Sequence, residues 1–74
     1  MAGQLPVLSG GEVRKAFEKA GWEYVRQRGS HMVMVKEGHI ATLSIPNHKT
    51  VAKGTLRSLI RASGLTVDQF VELV

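Results

Sequence analysis

Two short turns constrain this chain more than anything else in it. Gly29-Ser30 and Glu37-Gly38-His39 are turn signals, and they separate three runs of strand composition at residues 22–28, 31–36 and 40–45. Such turns leave no room for the crossover that parallel neighbours need, so the runs predict an antiparallel meander. The middle run, His-Met-Val-Met-Val-Lys, is apolar at both parities, as suits a strand central in its sheet. Pro46 ends the sheet.

Helical periodicity flanks the meander. Ser9-Gly10-Gly11-Glu12 has the form of a capping box, with Leu8 and Val13 as its hydrophobic staple. Val13, Ala16, Phe17 and Ala20 recur at i, i+3, i+4 and i+7, and Gly21 is a natural stop. The spacing predicts a helix over 10–20. After a loop over 47–52, Leu56, Leu59, Ile60 and Ser63 predict a second helix over 53–62, closed by Gly64. Thr66-Val67-Asp68-Gln69 is another capping box, stapled by Leu65 and Phe70. It opens a short third helix with Val67, Phe70, Val71 and Val74 on its apolar side.

The order α-β-β-β-α-α defines an α+β two-layer domain. A three-stranded antiparallel sheet carries its helices on one face, and the other face is open or covered by a partner. Double-stranded-RNA-binding domains share the α-β-β-β-α order, which is an analogy of fold alone. The 74 residues are expected to form one domain, 1–74, with no repeat or linker.

Composition narrows the function. At 43% hydrophobic and 22% charged, the chain is globular rather than disordered. The absence of cysteine excludes a disulfide framework, a thiolate nucleophile and a cysteine–zinc site. No apolar run approaches the ~20 residues of a membrane helix. The start has neither a basic region nor a long apolar stretch, so no signal peptide, no membrane association and a cytoplasmic location are expected. The net charge of +4 is unevenly placed. Residues 1–25 balance Arg14, Lys15 and Lys19 against Glu12, Glu18 and Glu23, and residues 62–74 carry only Asp68 and Glu72. All the excess lies in Arg26, Arg28, Lys36, Lys49, Lys53, Arg57 and Arg61, opposed by Glu37 alone. A basic middle on a neutral frame points to an anionic partner, nucleic acid first.

Three histidines offer acid–base chemistry. His31 is the most pointed. It follows Gly29-Ser30 at a strand start, a hairpin brings Arg26 and Arg28 near it, and Gly29 allows close approach of a phosphate. The bland reading of His31 is a turn histidine with no task. The letters of Gly29-Ser30-His31-Met32 match a cloning scar, but scars sit at termini and this segment lies between two strands, so it is native. His48, after Pro46-Asn47 and beside Lys49, is either a loop residue or an aid to His31 if the loop folds back. His39 is expected to be a solvated turn residue. Spacings of eight and nine match no compact metal motif, so no metal site is expected. A Ser30-His31-Asp68 triad fails because neighbours on a strand face opposite ways. Lys53, Arg57 and Arg61 fall on one helix face. They form either a track for a phosphate backbone or a solvated side. With few aromatic residues outside the core stripes, phosphate and sugar contacts are expected over base stacking.

The chain resembles the HicA family of bacterial and archaeal toxins nearly end to end. The resemblance rests on Leu8-Ser9-Gly10; Ala20-Gly21-Trp22; Arg26-Gln27-Arg28-Gly29-Ser30-His31; Pro46-Asn47-His48; Lys53-Gly54-Thr55-Leu56-Arg57-Ser58-Leu59-Ile60; and Gly64-Leu65-Thr66-Val67-Asp68-Gln69-Phe70. The Glu37-Gly38-His39 turn is tighter than in many relatives. The resemblance implies a fold like that of double-stranded-RNA-binding domains and a ribosome-independent mRNA endoribonuclease. It also implies neutralisation by a HicB-type antitoxin and a catalytic histidine at His31. Gly29, Ser30 and His48 are then candidates for catalytic support, and Arg26, Arg28, Lys36, Lys49, Lys53, Arg57 and Arg61 for RNA binding. No metal or other cofactor is needed, because RNA carries its own nucleophile, the 2′-OH. The competing reading is a non-catalytic RNA-binding module of the same fold. If His31 faces solvent, Val33 and Val35 are expected beside it on an exposed patch that the antitoxin buries.

Overall fold

The computed structural model describes residues 5–74, in the order α1 (Gly10–Lys19), β1 (Glu23–Arg28), β2 (His31–Val35), β3 (Leu43–Pro46), α2 (Lys53–Ser63) and α3 (Val67–Leu73). Residues 1–4, part of the segment read for a signal peptide, lie outside the described residues.

Both capping boxes form. The Glu12 N–H donates to Ser9 Oγ at 3.2 Å, and the Ser9 N–H donates to Glu12 Oε1 at 2.8 Å. Thr66 and Gln69 repeat the exchange at the start of α3, at 3.1 and 2.9 Å. Each box satisfies two helix N–H groups that would otherwise lack a partner. Gly21, at φ 98°, reverses the chain after α1, and the Trp22 N–H donates to the Phe17 carbonyl at 3.0 Å. The Lys19 ammonium donates to the Leu73 carbonyl at 3.0 Å and ties the ends of α1 and α3.

The sheet is antiparallel in the order β1-β2-β3, with β2 central as its two-sided apolar pattern requires. Gly29, at φ 58°, takes the first central position of a two-residue hairpin turn between Arg28 and His31. That is the place glycine holds in a type II′ turn. In β2–β3, Met32 pairs with Ile45 and Met34 with Leu43. These four side chains face the helices and join Val13, Phe17, Leu56, Ile60 and Phe70 in the core. The Phe17 and Phe70 rings lie 5.0 Å apart. Each such side chain contributes about 1.5–3 kcal/mol by leaving water. Leu56, Leu59, Ile60 and Ser63 are all buried, as their spacing predicts. Ser63 Oγ donates to the Ile60 carbonyl at 2.6 Å, so the one buried polar side chain of the stripe is satisfied.

Four expectations need correction. First, β3 starts at Leu43 rather than at residue 40, and Ile40 is fully exposed. In the register that pairs Met34 with Leu43, residue 40 would face residue 37, where β2 has already given way to the turn. Second, Val33 is 6% exposed and not part of an exposed patch. Arg26 and Ser44 lie directly across from it, and His31 and Val35 flank it along β2. Neighbours on four sides remove it from water, and the long stem of an arginine covers apolar surface well. Third, His39 is half-buried. Its ring centroid lies 4.9 Å from that of Trp22, and its Nδ1 accepts from the Ala41 N–H at 3.4 Å. Fourth, Val74 is half-exposed at the end of α3, where the helix has run past the core.

Candidate active site

The two-residue turn decides what surrounds His31, and a β-bulge further along β1 decides which way the start of that strand faces. Between Tyr24, opposite Met34, and Arg26, opposite Val33, the register of β1 slips by one residue at Val25. Without the slip, strict alternation would put Arg26 and Arg28 on the same side as Tyr24. Tyr24 packs toward α1, where the Arg14 guanidinium lies 4.0 Å from its ring centroid. The extra residue reverses the parity. Arg26 shares a face with Val33, and Arg28 shares one with His31 directly across the ladder. Val25 itself is 46% exposed.

His31 opens β2 immediately after the Gly29-Ser30 turn and is exposed. The Gln27 amide donates to the Gly29 carbonyl at 3.1 Å and braces the turn from within β1. On the other side, His31 pairs with Pro46. The loop beyond Pro46 folds back. The Asn47 N–H donates to the Ser30 carbonyl at 2.7 Å, and the His48 carbonyl accepts from the Gly10 N–H at 2.9 Å. The Val51 N–H donates to the Leu8 carbonyl at 2.8 Å. Gly10 fits because it has no side chain. A Cβ there would strike the Pro46 carbonyl oxygen and come within 2.9 Å of Asn47 Cα. Three segments therefore meet at one end of the sheet: the hairpin tip, the start of the β3–α2 loop and the start of α1.

The hairpin end gathers His31, Gly29, Ser30, Arg26, Arg28 and the His48-Lys49 loop. His48 and Lys49 are exposed. Among the described residues neither the His31 nor the His48 imidazole has a hydrogen-bond partner, and the only ion pair is Arg14–Glu18 at 3.1 Å. The cations around His31 are thus uncommitted. An accessible imidazole flanked by guanidinium groups can exchange a proton with a bound molecule while positive charge holds a phosphoryl group.

Other sequence candidates lie elsewhere. Lys36 sits about 17 Å from His31 by strand rise, beyond the far end of β2. Its Cε would meet a Cβ on Gly21 at 3.3 Å. Lys53 begins α2, and Arg57 and Arg61 lie one and two turns further on, all three exposed. Arg57 and Arg61 line an open groove toward α3. Sequence reasoning overlooked the bulge at Val25 and the role of Gly10. A β-branched valine carries no bulge signal, and the cap pattern around Ser9 explained Gly10 without any packing role. Among the described residues no three His, Asp or Glu side chains gather as a metal site, and no helix is long and apolar enough to cross a membrane.

Helices on one face of a small antiparallel meander, with an exposed histidine hairpin at the sheet's end, define an α+β domain whose candidate site lies off its core. The family model described as the HicA toxin of bacterial toxin-antitoxin matches residues 10–65, well over half of the chain. The chain belongs to the HicA toxin family, and its role is that of the toxin, with a cognate antitoxin as partner. No curated protein and no solved structure gives a significant match.

Proposed function

We propose that this toxin is a metal-independent mRNA endoribonuclease in which His31 is the catalytic residue. The observation that carries the reading is the hairpin-set juxtaposition of exposed His31 with Arg28 across the ladder and Arg26 on the same face. In the reaction, the RNA 2′-oxygen loses its proton and attacks the adjacent phosphorus. The bond from phosphorus to the 5′-oxygen breaks, that oxygen takes up a proton, and a 2′,3′-cyclic phosphate and a 5′-OH end remain. His31 carries one of the two proton transfers. Arg26, Arg28 and Lys49 stabilise the charge that builds on the phosphoryl oxygens. Gly29 and Ser30 set the position of His31, and His48 stands in the adjoining loop as catalytic support.

The antitoxin in this reading is of the HicB type and covers the open face of the sheet. Val25 supplies exposed apolar surface there, beside half-buried Val35 and the two arginines. The test is cleavage of a long mRNA in excess EDTA by the wild type and by His31→Ala, with the new ends mapped. Cleavage by the wild type alone, leaving 5′-OH ends, is the expected result. Equal cleavage by both proteins would overturn the role of His31. RNA binding without cleavage by either would favour the non-catalytic binding module.

A further inference from the structure

The side of α2 that faces away from the core carries Lys53, Arg57 and Arg61 at steps of four residues. Each step advances about 6 Å along the helix axis, so the three cations form a line about 12 Å long. No acidic residue occurs anywhere in α2, and no described partner neutralises the stripe. The line starts beside the loop that carries His48 and Lys49 and runs away from the hairpin. At its far end Arg57 and Arg61 form one side of an open groove of about 410 Å³, floored by Ile60, Leu65 and Val67. Ile60 is buried, while Leu65 and Val67 are half-buried and present apolar surface to the groove.

We infer that this groove is a remote RNA site that holds a single-stranded stretch flanking the cut, with phosphates on Arg57 and Arg61 and a base or sugar against Leu65 and Val67. The inference rests on the ribonuclease reading and adds to it a second contact and a substrate class. Continuity of the stripe with the His48-Lys49 loop favours RNA as the occupant. The apolar floor favours a single strand. A duplex offers phosphates and 2′-hydroxyls across a shallow groove but keeps its base faces stacked, whereas an unpaired nucleotide exposes an apolar face. Two guanidinium groups on one helix face suit the phosphates that precede and follow such a nucleotide.

The test measures binding of a fluorescent 2′-O-methyl oligoribonucleotide across a salt series. This probe lacks the 2′-hydroxyl, so the result does not depend on cleavage. For single strands the slope of log K against log salt is about 0.7 per phosphate neutralised. The Arg57→Gln/Arg61→Gln protein should therefore lose about 1.4 of slope, and Arg57→Lys/Arg61→Lys should keep it. Arg61→Gln alone should lose about 0.7, which covers the case in which the double variant fails to fold. A blunt duplex probe should show no difference between wild type and the Gln variants. An unchanged slope with the single strand would overturn the inference, as would an equal loss with the duplex. Loss of antitoxin binding with the RNA slope intact would give the groove to the antitoxin and overturn it too. A reduced slope in a protein that cleaves no RNA would leave the groove assignment standing and defeat the ribonuclease reading alone.

Discussion

The two faces of the sheet are built from the same three strands and divide the labour between them. The face toward the helices is closed by Met32, Met34, Leu43 and Ile45, and every one of these is buried. The opposite face shows Val25, Arg26, Arg28, His31 and Ser44 to solvent. The helices repeat the contrast. α1 and α3 each begin with a complete capping box, whereas α2 begins at Ala52 with no side-chain cap and has Lys53 in its first turn. A cation there opposes the helix dipole. Stability has been gathered where the core needs it, and the exposed groups of the candidate site have been left without internal partners. Proteins commonly give up some stability at sites of function.

That division breaks if substitutions on the open face unfold the protein or substitutions on the buried face spare it. The largest separation should come from His31→Ala. The cleavage rate should fall ~10²–10⁴-fold, with the urea midpoint of unfolding unchanged. Met34→Ala should do the reverse. Its side chain is fully buried, so the loss should be about 2–5 kcal/mol in denaturant titration. That is a large share of the roughly 5–15 kcal/mol that holds a domain together.

Gly10→Ala should affect both properties, because the added Cβ meets backbone at Pro46 and Asn47. A loss of about 1–3 kcal/mol is expected, with cleavage reduced as the loop beside His31 shifts. Cleavage at the wild-type rate would show that this loop does not position the site. The smallest effect sharpens the contrast between helices. Ala52→Ser should stabilise α2 by about 1 kcal/mol, read as a raised unfolding midpoint.

The layers, the helices and their caps were legible in the chain because each depends on local chemistry. Ser9-Glu12 and Thr66-Gln69 close their own boxes, and the stripe Leu56-Leu59-Ile60-Ser63 needs only its period. Features that depend on one strand meeting another were not legible. The late start of β3 follows from where β2 ends, which Ile40 cannot signal. The burial of Val33 follows from what stands across from it. His39 has a ring for a neighbour because the loop after β2 brings it against Trp22. At the site, His31 with its glycine turn was visible as a candidate, and Arg26 and Arg28 were placed near it by the hairpin. The bulge that turns Tyr24 back to the core side, and the pinning of the 46–48 loop by Gly10 and Ser30, arise only when the segments pair.

The bulge at Val25 works as a parity bit for the hairpin. Across it, odd and even positions of β1 exchange sides. With the hairpin held in register, losing Val25 would leave Tyr24 opposite Met34 and Arg26 opposite Val33, so neither would change sides. A shortening that removes this exposed valine should therefore straighten the ladder and keep every side chain on its face, whereas pairing Val25 itself with Met34 would set Tyr24 outward.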